Sequence, residues 1–538
     1  MYTYNSVDQA IVDQRVTEFK NQTQEYLDGD LSEEEFRPLR LQNGLYIQRH
    51  APMLRVAIPY GVLSTAQLRM LAQVAERYDR GYGHFTTRQN MQFNWVKLAE
   101  VPDILAELAT VQMHAIQTSG NCIRNVTIDP LTDIAVDSEV DVRVYAELLR
   151  QWSTEHPEFL YLPRKFKIAI NGAKEDRAAI LAHDIGLQAR LEKQKIVFDI
   201  YCGGGLGRTP IIGKEVFSSI QEESLLDYLE AILRVYNEAG RRDNKYKARI
   251  KILVKALGVD AFRKKVIDEL NSMQITYQGS DWIEAIRTQI ANPIYKASHQ
   301  QTQSLSEEEI NWRNQNTQMH KQEGYRIVFI PLKSQGKVPG DISAEEMKQL
   351  ADLSDKYSFG QLRTTHRQNI VLPHVAESDL GELYQALKAL AMVRPNYNLA
   401  SDMICCPGFD FCSLANAEAI GVAQNIDKKL SQNQNDKAPL SINISGCMNA
   451  CGHHHIAGIG LLGVDKDGED WYQITLGGSS IKDAHIGRII GRSIQKEKVP
   501  EAVNSIVSVF EKTRRENESM PELVDRVGLA PFKEAVYG

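Results

Sequence analysis

Apolar residues fall at helical spacing twice, each time behind the same kind of polar signal. Ser64-Thr65-Ala66-Gln67 leads into Leu68 and Leu71, and Ser343-Ala344-Glu345-Glu346 leads into Met347 and Leu350. A serine followed three residues later by Gln or Glu is a capping box. It satisfies backbone N–H groups that the first helical turn leaves unpaired, so both stretches predict helix starts. The likeness runs on downstream. "ERYDRGYGHFTTRQN" (76–90) and "DKYSFGQLRTTHRQN" (355–369) align without a gap at the same offset, matching Tyr78 with Tyr357, Gly81 with Gly360 and Arg88 with Arg367. Each half therefore predicts strand, helix, strand, and then an extended apolar segment: "LPRKFKIAING" (162–172) in the first, "APLSINISG" (438–446) in the second. Between the halves, "SHQQTQSLSEEEINWRNQNTQMHKQ" (298–322) is polar and Gln-rich with little to bury, which predicts a linker. The expected fold is mixed α/β (α+β), internally duplicated, with pseudo-twofold symmetry.

Composition narrows the class. With 538 residues, 43% of them hydrophobic and 24% charged, the chain can bury several cores. No apolar run approaches the roughly 18 residues that a membrane span needs. Asp8, Asp13 and Glu18 stand where a secretory signal would be basic and then apolar, so a cytoplasmic protein is expected. A net charge of −7 speaks against a general nucleic-acid binder.

The cysteines change the picture. Five of the seven lie in "CCPGFDFC" (405–412) and "GCMNACGHHH" (446–455). An odd total in a cytoplasmic chain fits a disulfide framework poorly and fits metal or redox chemistry better. Cys406 and Cys412 form C-x5-C, and Cys447 and Cys451 form C-x3-C. Four thiolates on two loops suit either tetrahedral zinc or an iron–sulfur cube. Zinc ribbons favour tighter C-x2-C knuckles, and buried cysteines without a ligand remain the plain alternative. Cys405, beside Cys406, is expected to point away as a packed thiol, and the same plain role suits Cys122 and Cys202.

Basic residues in apolar surroundings complete the pattern. Arg55, Arg88, Arg124, Lys165 and Lys167 all sit in strand-like contexts. In an alternating strand, Lys165 and Lys167 share a face, and two ammonium groups so placed call for an anion between them. "RRDNKYKARIKILVK" (241–255) is either a solvated basic helix face or a further source of cations. "YCGGGLGRTP" (201–210) lacks the marks of a nucleotide loop and is expected to approach a ligand closely through its backbone.

"TTRQ", "IRN", "LPRKFK", C-x5-C and "GCMNACG", in this order, resemble the siroheme-containing sulfite and nitrite reductases from about residue 30 to the C-terminus. The resemblance implies two ferredoxin-like half-domains, each joined to a larger α/β domain. It divides the chain into an N-terminal extension with the first half-domain (1–110), a first siroheme-binding domain (111–297), the linker, a second half-domain (323–390) and a cluster- and siroheme-binding domain (391–538). It also implies a [4Fe–4S] cluster on Cys406, Cys412, Cys447 and Cys451, with Cys451 shared with the siroheme iron. Arg88, Gln92, Arg164 and Asn449 would contact siroheme, and Arg55, Arg124, Lys165 and Lys167 would surround the substrate anion. Some relatives carry arginine at the position of His84, and at most one of His453, His454 and His455 is expected to reach the cofactor. The leading expectation is assimilatory sulfite reduction with electrons from a separate ferredoxin or NADPH-dependent flavoprotein. A nitrite reductase of the same fold and a zinc-stabilised binding protein are the alternatives. Nitrite-reducing relatives commonly carry asparagine where this chain has Lys167.

Overall fold

A computed structural model of the chain describes residues 3–538 except 155, 274–276, 278, 291, 297–304 and 482–483. Its two halves exchange strands. Strand Val62–Ser64 pairs antiparallel with Gln361–Thr364 of the second half, Leu63 opposite Leu362, and Asp341–Ser343 returns the exchange by pairing with Tyr82–Phe85. Each five-stranded sheet is thus completed by the other half: Leu45–Ile47, Pro52–Val56, Met91–Phe93 and Tyr82–Phe85 with Asp341–Ser343, and Thr317–Met319, Tyr325–Ile330, Ile370–Ala376 and Gln361–Thr364 with Val62–Ser64.

The exchanged strands lead straight into the two capped helices. Both capping boxes form: Ser64 Oγ accepts from the Gln67 N–H at 3.1 Å, and Ser343 Oγ accepts from the Glu346 N–H at 3.2 Å. Helices Thr65–Tyr78 and Ala344–Tyr357 place Leu68, Leu71, Met347 and Leu350 in one shared core. Burying each such side chain stabilises by about 1.5–3 kcal/mol. The ion pairs at the rim, Arg69–Asp355 at 2.7 Å and Lys348–Glu76 at 2.6 Å, are pseudo-twofold counterparts. Being solvent-exposed, they add little.

Two further sheets repeat one topology. In the first, Thr127–Ile128, Ile168–Asn171 and Ile185–Glu192 run parallel, followed by antiparallel Lys195–Cys202 and Lys214–Gln221. In the second, Ile404–Cys405, Ile442–Ser445 and Ile459–Lys466 run parallel, followed by antiparallel Glu469–Leu476. Helices Arg143–Ser153 and Leu225–Ala239 cover the first sheet, Ile420–Gln432 and Val499–Thr513 the second, each with its own apolar core.

The expected linker is a correction. Of 298–322, residues 298–304 lie outside the described residues, but Glu307–Asn316 is a helix and Thr317–Met319 an edge strand. Trp312, 0% exposed, enters the core shared by the two half-domains. Trp312 anchors the segment, and the polar Glu309, Asn316 and His320 are buried with it, so average polarity misread it. Among the described residues, no helix is long and apolar enough to cross a membrane.

Candidate active site

The half-domain strands, the loops of the first α/β sheet and both cysteine loops meet around a cavity of about 450 Å³. Every residue singled out above as a substrate, cofactor or cluster ligand lines it: Arg55, Arg88, Gln92, Arg124, Arg164, Lys165, Lys167, Cys406, Cys412, Cys447, Asn449 and Cys451. Eight arginine and lysine side chains line the wall, and among the described lining residues there is no aspartate or glutamate. Like charges gathered in a partly desolvated site repel unless an anion joins them.

Only Arg55 of the five cations lies in a strand (Pro52–Val56), which corrects the strand-like reading of the others. Lys165 and Lys167 precede strand Ile168–Asn171 in extended chain, so alternation still applies. Both face the cavity, while Phe166 between them turns into the apolar core against Tyr236. Burial lowers the Lys165 pKa to about 8, with Arg124 and Arg249 adding to the effect. Burial, then Arg88 and Lys165, hold Lys167 well below the ordinary lysine range. Asp184, fully buried, accepts from the Lys167 backbone N–H at 2.9 Å and from Arg249 at 2.7 Å. It therefore positions Lys167 through the main chain. Arg55 Nη1 and Arg124 Nη1 both donate to the Thr118 carbonyl, at 3.4 and 2.8 Å, which fixes two guanidiniums side by side despite their charge.

Arg88 is delivered by a tight turn in which Thr86 Oγ1 accepts from the Arg88 and Asn90 N–H groups and Gln89 takes φ 57°. Its Nη2 donates to the Asn125 carbonyl at 2.6 Å, but Nε and Nη1 are buried without a hydrogen-bond partner. Leaving such donors unpaired is costly, so the group fits a bound anion. Thr87 Oγ1 donates to the Cys451 carbonyl at 2.8 Å, tying this turn to the cysteine loop.

The cysteine loops leave the carboxyl ends of parallel strands Ile404–Cys405 and Ile442–Ser445, the usual place for a ligand in such sheets. Cys406 Sγ accepts from the Gly446 N–H at 3.1 Å, and a Cβ on Gly446 would stand 2.6 Å from the Ala417 carbonyl, so the loops pack too closely there for any other residue. Burial raises the Cys406, Cys412 and Cys447 thiols, so metal binding must displace their protons. Cys405 instead packs its thiol into the core of the second α/β unit, as expected. Among the described residues, no three His, Cys, Asp or Glu side chains are placed to hold a single metal ion. Four thiols around a cavity, with orphaned guanidinium donors and no carboxylate, fit a thiolate-bound cluster beside a polycarboxylate cofactor.

Other expectations change. None of residues 201–210 lines the cavity, and at Gly204 the close approach is to the protein's own backbone, where a Cβ would stand 2.3 Å from the Leu181 carbonyl. In 241–255 only Ile250–Leu257 is helical, Arg241 pairs with Asp243 outside, and Lys251 turns inward to the Leu206 and Thr209 carbonyls. His84 bonds Asp341 at 2.7 Å across the strand exchange. Of the three histidines only His453 lines the cavity; His454 is buried and His455 bonds the Gly207 carbonyl. Asp184 and Tyr46, which also lines the cavity, escaped sequence reasoning because a lone acid and a tyrosine in a strand carry no local signal.

Fold and site together define a duplicated α/β redox protein built to bind anions next to a four-cysteine centre. The pattern described as "Nitrite and sulphite reductase 4Fe-4S domain" matches residues 119–273 and 398–538, and "Nitrite/Sulfite reductase ferredoxin-like half domain" matches 46–111 and 319–390. The chain belongs to this nitrite and sulfite reductase family, whose cofactors are siroheme and a [4Fe–4S] cluster. Its relatives carry both names. A chloroplastic ferredoxin–nitrite reductase of Arabidopsis thaliana is 28% identical over 524 residues, covering 94% of this chain and 84% of its own. A ferredoxin-named sulfite reductase of Mycobacterium tuberculosis is 27% identical over 491 residues, covering 88% and 82%. The solved NirA protein of Mycobacterium tuberculosis shares the fold, with TM-score 0.77 at 24% identity over 93% of this chain and 92% of that one.

Proposed function

We propose that this protein is an assimilatory, cytoplasmic sulfite reductase that takes sulfite to sulfide in a six-electron reduction. The observation that carries the reading is Lys167, a fourth basic side chain beside Arg55, Arg124 and Lys165, with no carboxylate among the described lining residues; burial and its cationic neighbours lower its pKa, and an arriving anion favours its charged form. Sulfite at neutral pH is substantially a dianion with three oxygens, whereas nitrite is a monoanion with two, so sulfite makes more use of that charge. Cys406, Cys412, Cys447 and Cys451 would hold the cluster, and Arg88, Arg164, Gln92 and Asn449, with Cys451 beside them, would hold siroheme. When bound, these groups supply an iron for the anion and a store of electrons. The chain's own part is electrostatic. Fixed guanidiniums orient the oxyanion and stabilise each departing oxygen without reorganising, the usual route to a lower barrier. Electrons come from a separate ferredoxin, the donor named for the relatives.

The test is an absorption spectrum and assays of iron and acid-labile sulfide on the purified holoenzyme, followed by turnover with reduced methyl viologen. Six electrons consumed per sulfide released, and faster turnover with sulfite than nitrite, are expected. Faster turnover with nitrite would overturn the choice of substrate, and a colourless, zinc-loaded protein would overturn the enzyme.

A further inference from the structure

The Thr118 carbonyl gathers three side chains from different elements. Besides Arg55 and Arg124, the Tyr46 hydroxyl points at it from strand Leu45–Ile47, with Oη 3.5 Å away. The Arg55 guanidinium carbon lies 5.2 Å from the centre of the Tyr46 ring. Tyr46 lines the cavity among the cations assigned to the substrate. At 3.5 Å its bond to the carbonyl is weak, so the phenol proton is not committed there.

Reduction of an oxyanion consumes protons, and the groups facing this one differ in what they can give. Arg55 and Arg124 do not release protons in proteins, so they neutralise and orient. His84 is held between Asp341 and Gln368, and burial keeps His453 neutral. Lys165, Lys167 and Tyr46 remain as groups that can give up a proton, and Tyr46 alone of the three bears its proton on oxygen beside both Arg55 and Arg124.

We propose that Tyr46 is a proton donor to the oxygen that leaves the bound oxyanion. Each oxygen departs as water at the expense of two electrons, from the one-electron donor protein, and two protons. One proton comes from Tyr46: its O–H bond breaks as a new O–H bond forms on the departing oxygen, while that oxygen's bond to sulfur or nitrogen breaks. The second comes from solvent. The phenolate left behind lies between Arg55 and Arg124, which stabilise it until solvent reprotonates it. The inference rests on oxyanion reduction by this family and holds for sulfite and nitrite alike.

The electrostatics agree. Burial alone would raise the phenol's pKa, but Arg124, Arg55, a hydrogen bond with the Ser119 side chain and Lys165 outweigh it and bring it to about 8. An arriving oxyanion offsets those cations and favours the protonated phenol, so the proton is in place when substrate is bound.

The experiment uses the holoenzyme with reduced methyl viologen. Tyr46→Phe keeps the ring beneath Arg55 and removes only the hydroxyl. Turnover should fall by about a hundredfold, the range for a lost general acid. Siroheme and iron content should stay unchanged, and the variant should lack one tyrosinate in an ultraviolet difference titration near pH 8. Wild-type kcat/KM should decline above that pH. Replacing Tyr46 with a fluorotyrosine, whose phenol is more acidic, should move this alkaline limb to lower pH, whereas a limb due to Lys165 would stay. Full turnover in a cofactor-replete Tyr46→Phe enzyme would overturn the proposal. So would an alkaline limb unmoved by fluorotyrosine, which decides the matter even if Tyr46→Phe fails to load its cofactors.

Discussion

Arg88 and Arg367 are pseudo-twofold counterparts with opposite partners. Each sits in a turn whose threonine hydroxyl, Thr86 or Thr365, accepts two backbone N–H groups, and each donates to a main-chain carbonyl, Asn125 or Asp402, at 2.6 and 2.7 Å. Arg367 also finds the Asp402 carboxylate at 2.9 Å. At the matching place Arg88 meets Asn125, an uncharged amide, and keeps unpaired N–H groups that face the cavity. One half neutralises its arginine internally; the other leaves it for a ligand.

The two arginines should therefore respond differently to the same change. Arg88→Ala should lower siroheme occupancy severely, because a cofactor carboxylate loses its partner, while the fold survives. Arg367→Ala should leave siroheme bound and cost less stability than the about 3–5 kcal/mol of a fully broken buried pair, because the buried Asp402 keeps Lys333 at 3.2 Å. Siroheme absorbance and thermal unfolding of both variants check this. A replete Arg88→Ala enzyme with only a raised KM for sulfite would move Arg88 to the substrate site.

Serine at Cys406, Cys412, Cys447 or Cys451 should abolish or severely reduce iron and acid-labile sulfide, since a hard hydroxyl replaces a soft thiolate. Cys405→Ser should keep both, its thiol being packed in the core rather than among the ligands. Iron analysis of the five proteins decides it; equal loss from Cys405→Ser and Cys406→Ser would contradict the assignment.

Asp184→Asn tests positioning through the main chain. It leaves Arg249 without its buried carboxylate and weakens the tether on the Lys167 N–H, so a loss of about 3–5 kcal/mol in stability is expected. The sulfite kcat/KM should fall with it, measured beside a thermal unfolding curve. Unchanged stability would show that Arg249 needs no partner.

What was legible in the sequence was local or chemically conspicuous. Capping boxes at Ser64 and Ser343 span four residues and read directly, and half-buried cations such as Lys165 and Lys167 stand out because apolar neighbours rarely tolerate them. The strand exchange was not legible. Val62–Ser64 is three residues long, and nothing in those residues distinguishes its own half's sheet from the other's; the choice is made by the packing of Leu68 and Leu71 against Met347 and Leu350. Trp312 was lost in a polar run for the reason a composition average loses any single anchor. The contrast between Arg88 and Arg367 needed the partners at Asn125 and Asp402, which lie 37 and 35 residues further on.

The choice of sulfite is tested most directly by Lys167→Asn, assayed on sulfite and nitrite with reduced methyl viologen so that no protein donor biases the comparison. Truncating one partner of a buried charge pair costs about 2–5 kcal/mol. At 1.4 kcal/mol per factor of ten, sulfite kcat/KM should fall roughly thirtyfold to a few thousandfold, while nitrite kcat/KM holds or rises. Equal loss on both substrates, or a wild type that already prefers nitrite, would contradict the account.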